Sequence, residues 1–183
     1  MRLAVWVCLL LLFPLTACMR TIHVNPLPSE PATATIPRAV QVIVGRLSIE
    51  GADHMPGITL LEWPHRDLSR AIIEYVQRRE TFSSVSATPA DLALAITTKL
   101  AMRSRQRYRY FIQLQAEMRD GSRPVKMYVV ERDAEGSTVR WVTASDRDPI
   151  EKALQLALDD LLTQIEEDRS LFMADTGRPA KVR

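Results

Sequence analysis

Two groups of residues in this 183-residue chain have types and spacing that could do chemistry. The first is Cys18, a thiol that closes the stretch Leu15-Thr16-Ala17-Cys18. That stretch follows a charged start, Met1-Arg2, and an apolar run from Leu3 to Phe13. Such an order describes a secretory signal, and the run is shorter than the about 20 residues a membrane-spanning helix needs. The second group is an alternating set, Arg103, Arg105, Arg107 and Arg109, with Tyr108 inside it and Tyr110 beside it. Guanidinium forks suit phosphate or carboxylate partners. The residues of other chemistries are not gathered. His23, His54 and His65 form neither a His-x-x-x-His nor a Glu-x-x-His pattern, and a metal site needs several such donors together. There is no Gly-x-Ser-x-Gly elbow, and six glycines form no phosphate loop. The acid pairs Asp159-Asp160 and Glu166-Glu167 fall on the wet side or end of a helix, where they read as solvated. The expectation is a protein without enzymatic activity, cofactor or metal.

Leu15-Thr16-Ala17-Cys18 resembles the lipobox of bacterial lipoproteins. The resemblance implies that diacylglycerol is coupled to the Cys18 thiol, that the leader is cut before it and that the new amino terminus is acylated. An uncleaved amino-terminal helix, or an ordinary cut that leaves a free thiol, are the other readings. Each buried methylene of an acyl chain contributes about 0.8 kcal/mol, so three chains anchor firmly. In that family an Asp after the cysteine retains the protein at the inner membrane. Met19 stands there, so the resemblance implies the outer membrane with the domain in the periplasm, the inner membrane being the other choice.

Composition fits an exported, membrane-tethered domain. Lys and Arg number 24 against 22 Asp and Glu, so no overall field draws in nucleic acid. The two cysteines, Cys8 and Cys18, lie in the leader and at its cut, leaving the mature domain without a disulfide. Residues 1–17 form the signal, and 18–38 the lipidated cysteine and a tether with Pro26, Pro28, Pro31 and Pro37. Extended polyproline geometry gives such a tether a reach on the order of 60 Å. Residues 39–168 form the domain and 169–183 a mobile tail.

Within the domain, periodicity names the elements. Val40, Val42 and Val44, then Leu47 and Ile49, predict a strand over Ala39–Glu50, broken from Gly51 to Gly57. Ile58–Trp63 reads as a further strand or a loop. Leu68, Ile72, Tyr75 and Val76 lie on one face of a helix over His65–Glu80. A short strand over Thr81–Ser86 precedes long strands over Asp91–Arg103 and Tyr108–Arg119. The turn Asp120-Gly121 leads to a strand with Val125, Met127 and Val129 facing inward. A return strand with Val139, Trp141 and Thr143 completes a four-strand meander. Phe111, Tyr128 and Val130 then fall on the polar side as a small apolar patch. Asp148-Pro149-Ile150-Glu151 predicts the start of a last helix, with Asp148 as N-cap and Pro149 at the first helical position, striped by Ile150, Leu154, Ala157, Leu158, Leu161 and Ile165. These elements make an α+β two-layer sandwich: a mostly antiparallel sheet of four to six strands, covered on one face by two amphipathic helices.

The helix running into Phe82-x-x-Val85, then Ala90-Asp91-Leu92-Ala93-Leu94, a meander and a closing helix, resembles small α+β envelope lipoproteins. These include the auxiliary lipoproteins of ABC-type lipid transport and the TolB amino-terminal-like and lipopolysaccharide-assembly types. The resemblance implies a non-enzymatic accessory of a transport or assembly machine, with an envelope protein partner or a second copy of itself. The other reading is a stand-alone carrier of an anionic lipid or glycan. Arg103, Arg105, Arg107, Tyr108 and Arg109 are the candidate binding residues, and Cys18 the candidate lipidation site.

Overall fold

A computed structural model describes residues 18–51, 59–104, 107–136 and 146–173. Residues 1–17, Arg105, the stretch Val139–Thr143 and the residues from 174 onward lie outside the described residues.

The centre of the fold is β2 (Ile36–Gly51), sixteen residues long. Val40 and Val42 turn inward on even positions, whereas Leu47 and Ile49 pack inward on odd ones. A regular strand cannot do both, because side chains alternate with a period of two. The pairing with β5 (Leu92–Ser104) shifts between Val44 and Leu47, so two residues of β2 face one of β5. This bulge resets the parity. Gly45 sits in it because a Cβ there would lie 2.9 Å from the Thr97 Cγ2 atom.

The sheet has the order β4-β2-β5-β6-β7, with β4 at Phe82–Ser86, β6 at Tyr108–Asp120 and β7 at Arg123–Glu135. β2 runs parallel to both β4 and β5, while β5, β6 and β7 are antiparallel. The α+β sandwich stands, and its sheet is mixed, with two pairings of each kind. The meander is described as far as β7. Gly121 closes the β6–β7 hairpin at φ +57, a conformation glycine adopts without strain.

Two helices cover one face. α1 (His65–Arg79) packs on β2 and β4, and α2 (Arg147–Glu167) on β6 and β7. Leu68, Ile72 and Tyr75 from α1 and Leu154, Leu158, Leu161 and Ile165 from α2 are fully buried. The expected cap moves: Asp146, not Asp148, is the N-cap of α2, and Pro149 becomes its third residue. Proline is still tolerated there because first-turn amides have no partner within the helix. The Asp146 carboxylate accepts the Tyr110 hydroxyl instead of capping. Among the described residues no helix is long and apolar enough to cross a membrane.

The proline-rich stretch is not a free tether. β1 (Cys18–Thr21) pairs in parallel with β3 (Thr59–Glu62), and the chain then lies along the groove between α1 and α2. Ile22 and Val24 are buried. The Asn25 amide donates to Glu151 Oε2 at 3.0 Å, and Gln155 donates to the Leu27 carbonyl at 2.7 Å. The Ala32 amide donates to the Arg79 carbonyl at 3.0 Å. Proline suits this course because its extended geometry needs no internal hydrogen bonds. The body likewise extends past residue 168: a 3-10 turn, Arg169–Leu171, carries Phe172 into the core, where it is 1% exposed.

Candidate functional site

The arginine hairpin joins β5 to β6, where Arg103 lies opposite Arg109 and Ser104 opposite Tyr108. Arg103 and Arg109 point to the face of the sheet that the helices leave open, because they share the parity of Phe111, Gln113 and Gln115. The Arg103 guanidinium stands 4.5 Å over the Phe111 ring centroid, a cation–π contact. β7 brings acids to the other two. Arg107 meets Glu135 at 3.3 Å, and Arg109 meets Asp133 at 3.0 Å and Glu135 at 3.8 Å. Tyr108 does not join them. It has the opposite parity and packs against the core beside Tyr110. Arg105 lies outside the described residues.

Next to Arg103 the open face holds a groove of about 460 Å³, lined by Glu50, Lys99, Ala101, Phe111, Gln113 and Glu131. Lys99 pairs with Glu50 at 2.8 Å. The groove is mixed in charge and open along the sheet, a place for a polar chain or headgroup rather than an apolar one.

Of the three residues of the expected apolar patch, one is placed as expected. Phe111 is on the open face, but Tyr128 and Val130 are buried beneath α2, and Met127 (63% exposed) and Val129 (56%) face out. A second bulge is the cause. Pairing shifts between Met118 and Arg119, so Val125 packs against the core and the parity of β7 changes after it. Ile43, 47% exposed, lies on the same open face beside Ala95.

A second charged cluster escaped the sequence reading. Arg79, the last residue of α1, is 4% exposed, and Glu166 on α2 is 1% exposed rather than solvated. Arg79 donates from Nε to Glu166 Oε1 at 3.0 Å and from Nη1 to Asp159 Oδ1 at 2.7 Å. Its Nη2 donates to Thr163 Oγ1 at 2.9 Å. Glu166 Oε1 also accepts from Thr81, while Oε2 accepts both the amide and the hydroxyl of Thr33. Burial pushes the Glu166 carboxyl upward, and the bonds from Arg79, Thr81 and Thr33 outweigh it, holding it below the usual carboxylate range. Burial works against the Arg79 charge, but Glu166 and Asp159 overcome it and raise its pKa. Burial, then Asp159, raises the Tyr75 phenol, which donates to Asp159 at 2.6 Å. Glu166 has four donors for about four acceptor sites, so no lone pair is left for proton transfer. The cluster is built to hold three segments together. Its spacing was visible, since Asp159, Thr163 and Glu166 share one helical face, but nothing in the sequence marked that face as covered.

No family model matches this chain, and no curated protein does. Solved structures do. A DUF330-family protein from Xanthomonas campestris superposes with a TM-score of 0.52 at 15% identity, covering 85% of this chain and 96% of that one. A hypothetical protein from Chlamydia trachomatis gives 0.50 at 9% identity, covering 73% and 98%. At these identities the likeness is one of fold.

Proposed function

We propose that the protein is a lipid-anchored envelope protein, acylated at Cys18, that serves as a non-enzymatic accessory subunit of a transport or assembly machine. The observation that carries this reading is Leu15-Thr16-Ala17-Cys18 behind its charged, apolar leader. Export to the outer membrane then follows from Met19 after the cysteine, with the domain on the periplasmic side. Two features of the body support a partner protein over catalysis. The buried Glu166 carboxylate has its acceptor sites filled, and the open sheet face exposes Ile43 on β2 and Met127 and Val129 on β7. The stand-alone carrier is favoured by one observation, the groove beside Arg103, which offers a polar ligand a cation and the side chains of Lys99, Gln113 and Glu131.

The test is crosslinking in living cells, followed by purification of the lipidated protein and mass spectrometry of proteins and lipids. An envelope protein recovered in stoichiometric amount supports the accessory reading. A lipid or glycan recovered without a protein establishes the carrier instead.

A further inference from the structure

We propose that the end of the domain carrying Arg103, Arg107 and Arg109 rests directly on the membrane, with these guanidinium groups against anionic phosphate headgroups. The proposal rests on acylation of Cys18 and adds to it the orientation of the domain.

The first argument is chain length. From Ile22 onward the amino-terminal segment is fixed to the body: the Ile22 amide donates to the Glu62 carbonyl at 2.9 Å, and Ile22 and Val24 are buried. Between Cys18 and Ile22 there is only β1, which at about 3.3 Å per residue spans on the order of 13 Å. β1 is itself paired to β3, with Cys18 opposite Thr59. An anchor at Cys18 thus holds the domain at the bilayer instead of letting it range over tens of ångströms.

The second argument is which end faces the anchor. From Ile22 the chain passes His23, 2.7 Å from Asp67 in the first turn of α1, then Asn25, bonded to Glu151 near the start of α2. It reaches the last turns at Ala32 and Thr33, which bond to Arg79 and Glu166. Cys18 therefore lies on the side of the helix amino termini. The arginine hairpin is at that end too. Tyr110, next to Arg109, donates to Asp146, the N-cap of α2. Gly51, the tip of β2, pairs with Met102 and is eight residues before Thr59. The Asp120-Gly121 hairpin is at the far end, tied to Arg38 at 2.8 Å.

The third argument is charge. Arg103 has no carboxylate partner among the described residues, and Arg107 and Arg109 share two acids that are a third exposed or more. An arginine near an anionic leaflet gains about 1 kcal/mol, so exchanging a wet ion pair for a headgroup phosphate is within reach.

The test uses the full chain, matured in cells and purified with its acyl groups. On this reading the mature protein has no free thiol, so Ser104→Cys and Ser170→Cys each give one labelling site, at opposite ends, and leave all three arginines in place. Each labelled protein is placed in vesicles of phosphatidylethanolamine and phosphatidylglycerol containing a headgroup-linked nitroxide quencher. The expected result is several-fold stronger quenching at position 104 than at 170. That excess should shrink when phosphatidylcholine replaces phosphatidylglycerol, and when Arg103→Glu and Arg109→Glu are added. Equal quenching at both ends, in protein shown by mass spectrometry to be acylated, overturns the orientation. An excess at position 104 that ignores lipid charge overturns the headgroup contact. A mature protein lacking acyl chains overturns the anchor itself and separates that failure from the other two.

Discussion

The protein sets arginine against carboxylate in two places, and the two have opposite fates. At the Arg79 cluster the Arg79 and Glu166 charges are out of water, Glu166 accepts four hydrogen bonds, and helix, helix and amino-terminal segment meet on that one carboxylate. At the Arg103–Arg109 hairpin the same chemistry is wet and loosely matched. Water decides the difference. A buried ion pair that loses one partner leaves an uncompensated charge in a poor solvent, whereas an exposed pair is replaced by hydration. The first cluster therefore belongs to stability and the second is free for recognition.

The contrast breaks first at Glu166. Glu166→Ala leaves Arg79 buried and Thr33 unanchored, so it should cost about 3–5 kcal/mol in urea unfolding. A loss below about 1 kcal/mol would mean that water reaches the cluster and that the contrast is false. Acid provides a gentler route to the same group. The folded-state pKa of Glu166 is lowered, so its contribution is present above the unfolded value and is lost as pH falls through the folded one. Stability should decline below the ordinary carboxylate range, and Glu166→Gln should flatten that part of the pH profile. Tyr75→Phe removes the 2.6 Å bond to Asp159 and should cost about 1–2 kcal/mol by thermal melting. Thr33→Val removes one hydroxyl from Glu166 but keeps the amide, for about 1 kcal/mol. At the hairpin, Arg107→Ala and Arg109→Ala should each change stability by about 0.5 kcal/mol or less. A drop as large as that of Glu166→Ala would make the hairpin a structural staple and remove it from recognition.

Much of the fold was legible because long strands and helices advertise their period. The inward set Tyr110, Ile112, Leu114, Ala116 and Met118 is buried as expected, and α1 falls within a residue of its expected range. The misreadings cluster where a local irregularity changes the phase. The bulge near Val125 turned Tyr128 and Val130 inward, and alternation alone gave no sign of it. The amino-terminal segment was misjudged for another reason. Proline and small polar residues predict an extended chain correctly, but an extended chain can be free or docked, and only Ile22 and Val24 hinted at the second. Of the candidate binding residues, Arg103, Arg107 and Arg109 do share a surface, while Tyr108 turns to the core by strand parity. Glu166 was missed because burial of a charge depends on partners distant in sequence, which no local pattern records.

The docking of the amino-terminal segment also governs when the protein can fold. Its closing bonds, Asn25 to Glu151 and Thr33 to Glu166, span 126 and 133 residues. Neither can form until α2 has been synthesised. A topology dominated by such distant contacts folds slowly, because the loop entropy is spent before the contact rewards it. The amino-terminal segment therefore stays open and extended while the rest of the chain is made, a form in which a polypeptide can still be threaded through a narrow channel.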